Sequence, residues 1–135
     1  MKTIRTAILG TGFMGRVHLE AVQRVESVEA AAIFGRNDDA TARLAAAFSV
    51  PKAASDYREL LRDPAIDAVD ICTPNAQHFS MAKEALLAGK HVLCEKPLTT
   101  TVAEAEELVA LASSSKLRNC VCHNLRYYPQ VQQMR

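Results

Sequence analysis

Three of the chain's five glycines fall within one hexapeptide, Gly10-Thr11-Gly12-Phe13-Met14-Gly15, which stands between a short apolar run and a stretch of helical periodicity. A G-x-G-x-x-G is a weak pattern alone; between a strand and a helix it constrains the fold, because each glycine then has its own task. Gly10 permits a tight turn, Gly12 lets a pyrophosphate approach the backbone without meeting a side chain, and Gly15 lets the helix pack closely on the strand. Free amide hydrogens and the positive end of the helix dipole stabilise the negative charge. The N-terminal segment therefore predicts a strand, a phosphate-binding turn and a crossover helix.

The rest of the sequence repeats that alternation. Residues 3–9 read as the first strand, and residues 13–25 carry Met14, Val17, Ala21, Val22 and Val25 as an apolar helical stripe placed to lie against a sheet. Residues 28–34 read as strand two, and Asn37 or Asp38 can cap a helix running to about Phe48, which Pro51 prevents from continuing. A short third strand is expected near residues 52–54. Asp56 and Glu59 then have capping-box spacing for a helix ending before Pro64. Residues 68–73 form strand four, Asn75 or Gln77 starts a helix over 78–88 closed by Gly89, and residues 91–95 form strand five. Thr101 with Glu104 caps a helix to about Ala112, residues 113–115 make a loop, and residues 117–123 form strand six. Residues 129–135 open another short helix with Pro129 at its first position. Such alternation predicts an α/β fold, a doubly wound parallel sheet covered on both faces.

Composition narrows the partners. The 135 residues are 49% hydrophobic and 23% charged, with a formal net charge of +1, which suits one domain with its own core. Interspersed charges of both signs give no electrostatic footprint for nucleic acid or an anionic membrane, so a small molecule is the expected partner. No apolar run approaches the roughly 20 residues that span a bilayer. The run Ala7-Ile8-Leu9, cut at once by Gly10, is too short for a signal-peptide core. Cys72, Cys94, Cys120 and Cys122 sit inside apolar runs, as small core residues of a reducing compartment do, and the cytoplasm is the expected location. Cys120-Val121-Cys122-His123 lacks the Cys spacing of a zinc knuckle and reads as an alternating strand, so no metal is expected.

Two further places carry chemistry. An NAD site places an acidic residue about 20 positions beyond the glycine turn, to hold the ribose hydroxyls. Here the end of strand two reads Phe34-Gly35-Arg36-Asn37. A small residue followed by arginine leaves room for a 2′-phosphate and offers a guanidinium to it, which favours NADP over NAD. In the alternative, Arg36 is a solvated loop residue and Asp38 or Asp39 binds the ribose. Glu95-Lys96-Pro97 follows strand five at its carboxyl end, where doubly wound sheets bind ligands. A lysine there could bond a substrate hydroxyl and stabilise a developing alkoxide; on residue types alone, Glu95 and Lys96 equally make a surface pair.

Gly10-Thr11-Gly12-Phe13-Met14-Gly15, Thr73-Pro74-Asn75 with His78, and Ala88-Gly89-Lys90-His91-Val92 leading into Cys94-Glu95-Lys96-Pro97-Leu98 resemble the Gfo/Idh/MocA family of oxidoreductases. The resemblance runs in order over essentially the whole chain, with Glu-Lys-Pro its most specific part. It implies a Rossmann domain with strand order 3-2-1-4-5-6 that binds NADP or NAD, and hydride transfer at a hydroxyl or carbonyl carbon of a sugar, cyclitol or related polyol. By position it assigns Gly12, Phe13 and Met14 to the pyrophosphate and Arg36 to the adenosine end. Thr73, Pro74, Asn75 and His78 would line the nicotinamide side, Glu95 would approach the nicotinamide ribose, and Lys96, as the catalytic residue, would contact the substrate hydroxyl, with the Lys96–Pro97 bond cis. His78 has a second reading, that it bonds a nearby backbone group. Arg126, in His123-Asn124-Leu125-Arg126-Tyr127-Tyr128-Pro129, would reach the cofactor from the segment that leaves the domain.

The family continues into a second α/β domain with most substrate contacts, acid–base residues and much of a homo-oligomer interface. The expectation is that residues 1–124 are the dinucleotide-binding domain and 125–135 the start of a connection to that second domain. The chain alone should bind cofactor without turnover. From another class, a free-standing dinucleotide-binding or sensing module without catalysis is the alternative.

Overall fold

Parallel neighbours cannot be joined by a hairpin, so a chain that alternates short apolar runs with amphipathic stretches must cross over after each strand. The computed structural model describes residues 2–134 and has that form. Strands β1 (Ile4–Leu9), β2 (Val28–Phe34), β3 (Ala53–Ala54), β4 (Ala68–Ile71), β5 (His91–Glu95) and β6 (Asn119–Cys122) make one sheet in the order 3-2-1-4-5-6. Every neighbouring pair is parallel. Helices α1 (Phe13–Val22), α2 (Asp38–Ala47), α3 (Tyr57–Arg62), α4 (His78–Leu87) and α5 (Val102–Ser114) connect the strands, and α6 (Pro129–Gln133) follows β6. Among the described residues, no helix is long and apolar enough to cross a membrane.

The period-two alternation of the strands divides the core between the two faces of the sheet. Ile8 and Ile33 point to one side, against Leu19, Ala45 and Val50. Ala7, Leu9, Phe34, Val69, Ile71 and Cys94 point to the other, against Leu60, Met81, Ala85 and Leu108. Three layers result, with α1 and α2 on one face and α3, α4 and α5 on the other.

Local capping chemistry sets the helix starts. The Asn37 side chain accepts from the Ala40 amide at 2.8 Å to open α2. Thr101 and Glu104 form the reciprocal box of α5, with Thr101 Oγ1 accepting from the Glu104 amide and Glu104 Oε2 from the Thr101 amide. Asp56 caps α3 by accepting from the Arg58 amide at 3.0 Å, not through the box that Glu59's spacing suggested.

Several expectations are corrected. The buried face of α1 is Gly15, His18 and Leu19, whereas Val17 and Val25 are exposed. The reason is steric: Gly15 must press against the Gly10 turn, so its i+3 and i+4 neighbours face the sheet, and of the expected valines only Val22 packs on that face. Helix α1 also stops at Val22, and α5 continues through the expected loop to Ser114. All four cysteines are free, but only Cys72 and Cys94 are buried; Cys120 is exposed on the edge strand β6 and Cys122 half-buried. The expected helix over 129–135 reaches Gln133, and Arg135 lies outside the described residues.

Candidate active-site cleft

The carboxyl ends of β1, β2 and β4 surround the glycine turn. Gly10 adopts φ +124°, a conformation L side chains rarely take, and a Cβ there would stand 2.5 Å from the Cys72 carbonyl oxygen. A Cβ on Gly15 would collide with the Gly10 carbonyl oxygen, the close approach of helix to strand that the spacing requires. Gly12 is different: nothing lies within 4 Å of where its Cβ would be. It is the N-cap of α1, with no side-chain cap and no acidic residue in the first turn, whereas α2, α3 and α5 are each capped by their own side chains. Free amides therefore face open space at the positive end of a ten-residue helix. A pyrophosphate fits this cradle in both size and charge.

The cleft in front of the turn encloses about 450 Å³ and is lined by Gly10, Thr11, Gly12, Phe13, Met14, Phe34, Gly35, Arg36, Cys72, Thr73, Pro74 and Gln77. Phe13 is 81% exposed, an apolar ring left on the rim of a polar turn. Arg36 is exposed at the mouth, beyond the end of β2, where a guanidinium can meet an anion without first being desolvated. Gly35 is buried, and a Cβ on it would meet the side chains of Thr11 and Thr41 at 2.5 Å. Its small size is thus demanded by packing beneath the turn. Asn75 is exposed on the short 3₁₀ turn (Asn75–Gln77), and Gln77, not Asn75, lines the cleft.

His78 lies under the wall rather than on it. Only 1% exposed, it is bonded through Nδ1 and Nε2 to the carbonyl oxygens of Pro97 and Thr73, each at 2.7 Å. It ties the end of the β4 loop to the Lys96–Pro97 segment, so the backbone-bonding reading holds and direct lining of the cleft does not.

A second recess of about 370 Å³ opens at the carboxyl ends of β5 and β6, lined by Lys96, Cys122, His123, Asn124, Leu125 and Arg126. Lys96 is exposed there, and the Lys96–Pro97 bond is cis. Below Lys96 the sheet face toward α1 carries charge where an apolar core is expected. His18 of α1 is 7% exposed, with Nδ1 2.7 Å from Asp70 Oδ2 of β4 and Nε2 3.1 Å from Glu95 Oε1 of β5. The other carboxylate oxygens are also engaged: Asp70 Oδ1 accepts from the Cys72 thiol and Glu95 Oε2 from the Lys96 amide at 3.0 Å. The Asp70 hydrogen bond raises the His18 pKa above its ordinary 6.5 against the opposing effect of burial, and Glu95 adds to the rise. Burial pushes the Cys122 thiol, 4.0 Å from His18 Nε2, up to about 11.

A family model described as an oxidoreductase family with an NAD-binding Rossmann fold, Gfo/Idh/MocA, matches residues 4–123. The chain belongs to this family. Among curated relatives, it is 34% identical over 134 residues to the oxidoreductase YrbE of Bacillus subtilis (strain 168), covering 99% of this chain and 39% of that protein. It is 35% identical over 112 residues to the scyllo-inositol 2-dehydrogenase (NADP(+)) IolU of the same organism, covering 83% of this chain and 34% of IolU. A crystal structure of KijD10, a 3-ketoreductase from Actinomadura kijaniata in complex with NADP and TDP-benzene, superimposes with a TM-score of 0.92 at 32% identity, covering 98% of this chain and 41% of that one. The chain thus spans about two fifths of the length of these relatives.

As a Gfo/Idh/MocA domain, the chain gathers its expected site residues in two places. Gly10, Gly12, Phe13, Met14, Arg36, Thr73 and Pro74 share the first cleft, and Lys96 and Arg126 the second. Gly15 acts from beneath as a packing contact, and Glu95 is 6% exposed under Lys96. The sequence reading passed over His18, Asp70, Gln77 and Cys122. A signal existed for three of them: a histidine three residues past Gly15 shares its helix face, and Asp70 and Cys122 sit on strands that alternate in phase with Glu95.

Proposed function

We propose that this chain is the cofactor-binding part of an NADP-preferring oxidoreductase, which moves a hydride between nicotinamide and a hydroxyl or carbonyl carbon of a sugar, cyclitol or related polyol. Residues 1–124 are the dinucleotide-binding domain, and residues 125–135 begin a connection to a further domain. The observation that carries this reading is the uncapped start of α1, facing the open space at Gly12 with Arg36 at the mouth of the same cleft. The NADP named with IolU and bound to KijD10 supports the choice of nucleotide. Four free thiols suit a reducing compartment such as the cytoplasm.

The residues divide the work. Backbone amides from Gly12 to Met14 hold the pyrophosphate, and Arg36 pairs with a 2′-phosphate. A bound nicotinamide supplies the two-electron hydride acceptor or donor. Thr73 and Pro74 limit where the ring can lie, and Glu95 faces its ribose from under the strand ends. Lys96 would donate from Nζ to the reacting oxygen and stabilise the negative charge that forms there when a carbonyl carbon gains the hydride, or when a hydroxyl passes its proton to a base of the further domain before its carbon yields the hydride.

Calorimetric titration of the chain with NADPH and NADH tests this reading. Saturable binding is expected, with NADPH tighter by about tenfold, the worth of one charge-assisted contact, and with the difference erased in Arg36→Ala. Failure of both nucleotides to bind overturns the reading, and equal affinities overturn the NADP preference. In the enzyme that carries this chain, Lys96→Ala is expected to lower turnover by about two to four orders of magnitude while NADPH still binds. Unchanged turnover removes Lys96 from the chemistry.

A further inference from the structure

The buried polar cluster under Lys96 is larger than cofactor binding by the glycine turn requires. His18 from α1 meets Asp70 from β4 and Glu95 from β5, with Cys72 and Cys122 closing the set from the turn after β4 and from β6. With both carboxylates ionised, each presents only acceptor oxygens to the ring, and satisfying both contacts then takes a proton on each nitrogen. The cluster is then an imidazolium between two carboxylates, and among the described residues no buried side-chain nitrogen or oxygen is left without a partner. The same side chains lie close enough to ligate a metal ion, as His18 with Asp70 and Cys72 or His18 with Glu95 and Cys122. In this structure each ring nitrogen meets a carboxylate oxygen directly, at 2.7 and 3.1 Å, an arrangement that a proton on each nitrogen accounts for.

The geometry points to His18 as a positioning residue: its imidazolium holds the Glu95 carboxylate, Glu95 Oε2 holds the Lys96 amide, and deprotonation of His18 loosens both at the cleft. The chain of contacts is continuous: His18 Nε2 to Glu95 Oε1 at 3.1 Å, then Glu95 Oε2 to the Lys96 backbone nitrogen at 3.0 Å. Its far end is anchored, since Asp70 holds the other face of the ring at 2.7 Å and lies in the middle of the sheet, 3% exposed. A neutral imidazole has one N–H, and Asp70, the nearer partner, keeps it. Glu95 then faces a lone pair, and the repulsion turns its carboxylate away from the Lys96 amide. The groups that face His18 from the elements packed on α1 are Asp70 and Cys72, Glu95 and Cys122; of these, the thiol of Cys122 titrates only near 11. The functional consequence rests on the cofactor reading above, in which Glu95 faces the nicotinamide ribose.

The test is a pH titration of the ¹⁵N-labelled chain from pH 6 to 10, following the His18 ring nitrogens and the Lys96 amide by NMR, together with calorimetric NADH affinity at each pH. NADH avoids the titrating 2′-phosphate. Expected are two protonated His18 nitrogens at pH 7, a Lys96 amide that shifts with the midpoint of His18, and NADH affinity that falls by about tenfold across that midpoint. In His18→Gln the Lys96 response at that midpoint disappears and the affinity is level; if this variant does not fold, the co-titration in the unsubstituted chain still decides. A purely structural His18 would not move the Lys96 amide in step. A neutral imidazole at pH 7, a Lys96 amide indifferent to the His18 midpoint, or an NADH affinity level across it overturns the proposal. If NADH binds at no pH while His18 and Lys96 titrate together, the coupling stands and the cofactor reading falls.

Discussion

The three glycines of one turn meet three different constraints, and substitution separates them. Gly15 is fixed by contact, because a Cβ there overlaps the Gly10 carbonyl oxygen, whereas a Cβ on Gly12 meets nothing in the chain, and only the proposed pyrophosphate would constrain it. Gly15→Ala should therefore cost about 1–3 kcal/mol of folding stability, the usual range for overpacking. Gly12→Ala keeps an allowed extended backbone (φ −75°, ψ −170°) and should cost less than about 1 kcal/mol, yet weaken NADPH binding by tenfold or more, roughly one blocked phosphate contact. Urea denaturation and calorimetry on the two variants check this, and equal stability losses would contradict it. The glycine turn and the places of Arg36 and Lys96 at the ends of β2 and β5 were legible in the sequence, because they depend on local backbone or on position along a strand. The cluster of His18, Asp70 and Glu95 was not, since three residues separated by 52 and 77 positions meet only once the sheet has formed.

Among the elements, strands were read closely where turn chemistry bounded them. β2 and β5 run over the residues expected, closed at one end by Gly35 or Gly89. Helix faces were read less well, because hydrophobic periodicity gives a direction only when apolar residues outnumber the alternatives. In α1 the Gly15 contact set the face, so that Val17 and Ala21 turn outward while Val22 still packs on the core. The α5 start shows the opposite case, with a local motif fully expressed: Glu104 Oε2 accepts from the Thr100 and Thr101 amides, and the Thr100 amide bond leads in holding the Glu104 carboxyl below its ordinary value. Thr101→Ala removes the cap of a thirteen-residue helix and should lower stability by about 1 kcal/mol. A depressed carboxylate stabilises the fold at neutral pH and ceases to as pH falls through its native pKa. The loss in Glu104→Gln, which removes that carboxylate, should therefore be largest near neutrality and shrink in acid, which thermal melts at pH 7 and pH 3 would reveal.

For the whole molecule, proton binding at the sheet's charged face links stability to alkaline pH. The His18 pKa is raised above 6.5, so the native protein keeps a proton that the unfolded chain surrenders. Its contribution is complete below pH 6.5 and is lost as pH rises through the native value. The thiols act in the same sense at higher pH. Unfolded cysteines ionise near 9, whereas burial pushes Cys122 up to about 11 and Cys94 to about 12, with Cys72 higher still. The native state is thus disfavoured further above pH 9, when unfolded thiols shed protons that the folded sheet retains. Urea midpoints measured under reducing conditions from pH 6 to 10 should fall in two stages, a first beginning above pH 6.5 from His18 and a second above 9 from the thiols. His18→Gln should abolish the first stage and keep the second. A midpoint that does not begin to fall above pH 6.5 until the thiols ionise would mean that the imidazole is not held protonated between Asp70 and Glu95.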